Sequence, residues 1–159
     1  MCAESAQPVN ALIITGCRKE NLREVHELLG GSPEAASWSG DALEDAFERY
    51  PSYMLVAWQG DEIAGFIAGR AIADESEILN LAVKTSCRRQ GVGKALVKSL
   101  LEVFARAAAL QVFLEVRESN APAIAFYRGL EFSDAGRREG YYHEPEEAAL
   151  LLSLSIKQR

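Results

Sequence analysis

The stretch CRRQGVGKAL, residues 87–96, decides how this chain is read. It follows the apolar run SEILNLAV, residues 76–83, and spans the end of the connection KTSCRRQ and the start of a long Ala- and Leu-rich segment. The first turn of a helix carries unpaired N–H groups and the positive end of the helix dipole. Gly91 and Gly93 let a bulky anion approach that backbone, and Arg88, Arg89 and Lys94 add charge. Together these residues have the composition of a phosphate cradle. Two common nucleotide loops do not fit. A Walker A loop needs Ser or Thr after its lysine, and here Ala95 follows Lys94. A dinucleotide loop needs G-x-G-x-x-G straight after a strand, but position 96 is Leu96 and seven residues separate Val83 from Gly91. What remains is R-x-x-G-x-G, from Arg88 through Gly91 to Gly93, or a plain helix start with a solvated basic patch.

A second constellation lies downstream in FLEVRESNAPAIAFY, residues 113–127. Glu115 sits between Leu114 and Val116, and strand alternation puts it on one face with Phe113 and Arg117. A charge inside such a strand is costly unless it is paired or used. Glu115 is therefore an ion-pair partner of Arg117, a group at a solvated sheet end, or a working carboxylate. Tyr127 follows on the next helical segment, where its plain reading is a core aromatic with its hydroxyl at the surface.

R-x-x-G-x-G resembles the pyrophosphate loop of the GNAT superfamily of N-acetyltransferases. The downstream pattern L-E-V-R-x-S-N-x-x-A-I-x-x-Y-x-x-L resembles the signature of the bacterial ribosomal-protein-alanine N-acetyltransferases within it. Leu114, Glu115, Val116, Arg117, Ser119, Asn120, Ala123, Ile124, Tyr127 and Leu130 carry it here. Asn80 to Val83, Trp38-Ser39 and Tyr141-Tyr142 resemble further parts of that branch. The resemblance implies an α/β (α+β) GNAT fold: a mixed, mostly antiparallel sheet of about seven strands, about four helices and a V-shaped opening between the central strands. It implies acetyl-CoA as acetyl donor, with no metal. Glu115 would be the general base and Tyr127 the general acid. The backbone of Leu81, Ala82 and Val83 would pair with the pantetheine arm. Arg88, Arg89, Gln90, Gly91, Val92, Gly93, Lys94 and Ala95 would form the pyrophosphate loop, and Asn120 would bond the cofactor. Trp38, Tyr141 and Tyr142 would face the substrate. That substrate would be a protein N-terminal α-amine, a ribosomal protein's among them. A small amine such as a polyamine, an amino acid or an aminoglycoside, or mere acetyl-CoA binding without transfer, are the rival readings. Lys84-Thr85 stands where the family often has Asp-Pro, and Gly140 where it often has Asn.

The chemistry asks less of an enzyme when the nucleophile is an α-amine. With a pKa of about 8 it is roughly one-tenth neutral at pH 7, whereas a lysine is neutral at under about one part in a thousand. A nucleophilic Cys87 is disfavoured, because no sequence feature brings a histidine to it.

The bulk properties set outer limits. At 159 residues and 48% hydrophobic, the chain suits one globular domain, 1–159, with residues 1–9 as a flexible tail. Its net charge of −6 argues against a nucleic-acid partner, and no apolar run reaches the roughly 18 residues of a membrane span. Cys2, Cys17 and Cys87 are too few and too widely spaced for a disulfide framework or zinc site. The expectation is a cytoplasmic monomer or weak dimer. Periodicity and breakers place the elements in the order β-α-α-β-β-β-α-β-α-β-β. Helices fall at 21–29, 39–50, 91 to about 110 and 121–130. The last two strands fall at 131–139 and 148–156, joined by a loop HEPEEA whose glutamates read as a solvated run.

Overall fold

The computed structural model describes residues 11–157; the expected tail and Cys2 lie outside them. The elements are β1 (Leu12–Gly16), α1 (Leu22–Gly30), α2 (Gly40–Arg49), β2 (Met54–Gln59), β3 (Glu62–Ile72), β4 (Glu75–Val83), α3 (Val92–Arg106), β5 (Gln111–Arg117), α4 (Ala121–Gly129), β6 (Ser133–His143) and β7 (Glu146–Ser155). The seven strands form one sheet in the order β1-β2-β3-β4-β5-β7-β6. Every pairing is antiparallel except that of β4 with β5. This is the mixed sheet with four helices that the element order and the resemblance led us to expect.

Each face of the sheet carries its own core. On one face α3 lays down Leu96, Val97, Leu100 and Phe104, all fully buried, against Leu55, Ala57, Val112 and Leu114. On the other, Val25 and Leu29 of α1 and Leu43 of α2 cover Met54, Val56, Phe66 and Ala82. Burial on both sides explains why β2 and β3 read as near-continuous apolar runs rather than alternating ones. Ser39 caps α2 by accepting the Ala42 N–H at 3.1 Å.

Two boundaries differ from expectation. α3 stops at Arg106, although alanines continue the helical composition to Ala109. There Ala108 turns left-handed at φ 62°, Ala109 is buried, and the Leu110 N–H reaches the Asp74 carbonyl at 2.6 Å. Tertiary bonding thus overrides local propensity, which separates alanine from other residues by only about 0.7 kcal/mol. β6 extends four residues past Glu139, because Tyr142 pairs with Glu147 and His143 with Glu146. The expected loop HEPEEA contracts to a turn at Glu144-Pro145 between the two strands.

The feature that positions the site is a divergence. β4 and β5 pair only from Glu75 to Glu77 against Gln111 to Phe113. Just beyond, β4 carries a bulge: Gly69 faces Ile78 while Ala68 faces Asn80, so Leu79 is the extra residue. A bulge bends its strand and ends pairing. No ladder joins β4 to β5 past that point, while β5 stays paired to β7 along its whole length.

Candidate active site

The divergence opens a cleft of about 970 Å³ through the sheet. Leu81 and Val83 line it from β4, Leu114 to Arg117 from β5, and Pro122, Ala123, Phe126 and Tyr127 from α4. That volume lies in the range of sites for sizeable organic ligands.

At one end stand the residues of the opening motif. The strand leaves Val83, makes a short turn over Thr85–Cys87, and enters α3 through Arg89 at φ 61° and Gly91 at φ 81°. Gly91 is the N-cap of α3 and has no side chain to cap it, so the first N–H groups of the helix are left for another acceptor. The left-handed backbone there is the reason for glycine. Gly91, Val92, Gly93 and Lys94 line the cleft, and Ala95 does not. The two arginines differ. Arg88 forms an ion pair with Glu34 from the connection between α1 and α2, and its Nε also reaches the Val83 carbonyl at 3.5 Å. Both line the cleft, but Arg89 forms no ion pair or side-chain hydrogen bond to the other described residues. Gln90 turns away, donating to the Ser86 carbonyl and to no cleft group. Ala82 buries its methyl in the core beneath α1 and α2, so only its main chain is available to the cleft. Cys87 is buried and donates to Gln59 Oε1 at 3.2 Å.

At the other end Glu115 and Tyr127 both line the cleft. Val112, Leu114 and Val116 face the α3 core with Tyr127, so Glu115 points to the opposite face. The two side chains reach a common space because the cleft passes through the sheet. The Glu115 side chain is 16% exposed, and Arg138 Nη1 lies 3.4 Å from its carboxylate. Tyr141 donates its hydroxyl to the same carboxylate, which pushes the phenol up to about 12. Tyr127 is wedged edge-on between Phe126 and Phe132, with ring centres 5.0 and 5.5 Å away. Burial holds its phenol well above the usual range, and the hydroxyl finds no acceptor among the described residues.

The alternation of β5 is as expected, but the ion pair between Glu115 and Arg117 does not form. Arg117 pairs with Glu147 at 3.6 Å and donates to the Pro145 carbonyl at 3.3 Å. Its guanidinium lies 4.2 Å over the Tyr142 ring. Tyr142 lines the cleft, and burial followed by the Glu115 charge raises its phenol. Tyr141 stands beside it, rings perpendicular at 5.1 Å. Gly140, at φ 60°, sits in a bulge where β6 advances from Arg138 to Tyr142 while β7 moves only from Ala149 to Glu147. That bulge aims Tyr141 at Glu115. Trp38 does not line the cleft; it packs edge-on to Phe66 in the core under α1 and α2. Asn120 lines it and caps α4, accepting the Ala123 N–H at 3.3 Å.

Arg138 and the side chain of Asn80 have contacts that the sequence did not point to, and Glu147 reads there only as part of a solvated run. Asn80 is buried and bonds both the N–H and the carbonyl of Ala36, at 3.0 and 2.9 Å, which pins the connection between α1 and α2 to β4. A lone amide in an apolar strand was the available signal, since a buried amide needs partners.

The profile of the acetyltransferase (GNAT) family matches residues 20–132, from α1 through α4. This chain belongs to that family. It is an N-acetyltransferase by that membership and by its relatives. The ribosomal protein bS18-alanine N-acetyltransferase of Escherichia coli K12 is 36% identical over 111 residues, 69% of this chain and 74% of that protein. The crystal structure of the Escherichia coli enzyme superposes with a TM-score of 0.84 at 28% identity, covering 94% of this chain and 96% of that one. Ard1 from Thermoplasma volcanium superposes with a TM-score of 0.86 at 26% identity, covering 93% and 99%. Gly140, where the GNAT pattern often has Asn, stands at a left-handed φ of 60°, a conformation that glycine and asparagine most readily adopt. No helix among the described residues is long and apolar enough to cross a membrane.

Proposed function

We propose that this GNAT enzyme moves the acetyl group of acetyl-CoA onto the α-amine of a protein N-terminus, with an alanine-starting ribosomal protein as favoured substrate. The observation that carries this reading is the through-sheet cleft, with a main-chain anion site at one end and Glu115 with Tyr127 at the other. The residues present fit acetyl-CoA. The uncapped start of α3 and Arg89 suit a pyrophosphate, and the strand edge of Leu81 to Val83, unpaired on its β5 side, suits the amides of a pantetheine arm. Asn120 keeps its amide N–H groups for a ligand, because only its oxygen is used in the cap. Arg88 serves differently: tied to Glu34, it joins the anion loop to the connection between α1 and α2.

Bound acetyl-CoA would supply an activated thioester, so no covalent enzyme intermediate is required. Glu115 receives the proton of the attacking amine, with Arg138 Nη1 3.4 Å from its carboxylate. Tyr127 Oη holds the proton that the departing sulfur takes up, and burial keeps that proton in place through the working pH range. An α-amine suits this arrangement, since roughly one-tenth of it is neutral at pH 7 before any base acts. The substrate class follows the relatives: the Escherichia coli protein named above is a ribosomal protein bS18-alanine N-acetyltransferase.

The test is acetylation of an alanine-starting peptide by the purified protein. Glu115→Gln and Tyr127→Phe are each expected to cut kcat by about 10²-fold or more. Full activity in both variants would remove the assigned roles, and turnover of polyamines or amino acids without any peptide would replace the substrate.

A further inference from the structure

Glu147 opens β7 in the stretch that reads as a solvated run of glutamates. Glu144 and Glu146 are exposed, but the Glu147 side chain is only 15% exposed and its carboxylate is used on both sides. Oε1 accepts the Ser119 backbone N–H at 2.6 Å, and Oε2 accepts the Ser119 hydroxyl at 3.0 Å. Oε2 also faces Arg117 Nη1 at 3.6 Å, and Arg117 in turn lies over Tyr142. The Ser119 bonds, reinforced by Arg117, hold the Glu147 carboxyl below its ordinary range. One carboxylate therefore carries two branches. The first runs through Ser119 to Asn120 and the cap of α4. The second runs through Arg117 to the Tyr142 ring. Ser119, Asn120, Arg117 and Tyr142 all line the cleft, and Glu147 does not.

We propose that Glu147 is a positioning residue for acetyl transfer, a strut that sets the coenzyme wall at Ser119-Asn120 and the amine wall at Tyr142 together. The inference rests on the reading of the cleft as an acetyl-CoA and amine site. Charge-assisted hydrogen bonds are the strong ones, and a reacting geometry tolerates displacements well under about 1 Å. Loss of a comparable supporting group behind metal ligands costs about 10–100-fold, and a similar scale is expected here.

The experiment measures the acetyl-CoA Kd by calorimetry, and the peptide KM and kcat at saturating acetyl-CoA, in five variants. Glu147→Ala is expected to lower kcat/KM by about 10–100-fold and to raise both the acetyl-CoA Kd and the peptide KM. Glu147→Asp recovers part of each. Ser119→Ala raises mainly the acetyl-CoA Kd, and Arg117→Met, which keeps the apolar stem, raises mainly the peptide KM. Glu147→Gln preserves volume and stands in if Glu147→Ala does not fold. A Glu147 variant that melts earlier yet keeps the wild-type Kd and KM overturns the strut. So does an Arg117→Met effect that falls on acetyl-CoA as heavily as that of Ser119→Ala. If the wild type binds acetyl-CoA but acetylates no peptide, the substrate reading falls while the Kd series still decides the strut. If it binds no acetyl-CoA, both fall.

Discussion

At one end of the cleft, a single continuous segment from Val83 to Lys94 supplies main-chain N–H groups; at the other, Glu115, Tyr127, Arg138, Tyr141 and Tyr142 arrive from β5, α4 and β6. The first end works through backbone conformation: Gly91 in a left-handed turn and a helix start with no side-chain cap. The second works through side chains whose partners are set by register: Glu115 with Arg138 and Tyr141, Arg117 with Glu147 and Tyr142. A backbone site is defined by neighbours in sequence and shows as a motif. A side-chain site assembled across three strands is defined by which residues oppose each other.

If the two ends are separable, each should fail without the other. The largest effect belongs to Glu115→Gln, with kcat down by about 10²–10⁴-fold and the acetyl-CoA Kd unchanged. A Kd that moves with kcat would break the comparison. Next comes Gly91→Val. A β-branched residue in a left-handed backbone costs about 1–2 kcal/mol, so the acetyl-CoA Kd is expected to rise about 5–30-fold with peptide KM unchanged. Arg89→Ala sharpens the contrast at smaller scale: the acetyl-CoA Kd rises about threefold to tenfold, less at high salt. Arg88→Ala is expected to affect that Kd less and instead to speed amide exchange in residues 33–36, where Glu34 is released. The smallest signal is spectroscopic. The Glu115 carboxylate accepts the Tyr141 hydroxyl and so favours the neutral phenol, which raises it to about 12. Removing that negative charge in Glu115→Gln favours ionisation, so tyrosinate absorbance is expected to grow in at lower pH than in the wild type. An unchanged titration would separate Tyr141 from Glu115.

The difference between the ends also explains what could be read from the chain. The strands, the four helices and the glycine-led start of α3 were legible, because each rests on periodicity, caps and breakers within a few residues. Glu115 and Tyr127 stood out as a charge and an aromatic in segments that matched a family signature. Glu115 offered Arg117 as the obvious local partner, two residues along the same strand face. The structure gives it Arg138 instead, from two strands away, and gives Arg117 to Glu147. The alanines before Leu110 favoured more helix, and only the bond from Leu110 to Asp74 shows why α3 stops. Gly140, a departure from the family pattern, becomes ordinary once its φ is known.

The sequence by itself determined where elements begin and end to within a few residues, and it placed a helix start with glycines and cations where an anion can bind. Those are local properties, governed by propensity, capping and steric freedom. The tertiary structure decided that β4 parts from β5 at the Leu79 bulge, that Arg88 is paired with Glu34 while Arg89 is not, and that Glu147 meets both Ser119 and Arg117. The cleft and the Glu147 contacts follow from register between distant strands, where a shift of one residue sends a side chain to the other face, and the Arg88–Glu34 pair follows from the packing of two connections far apart in sequence.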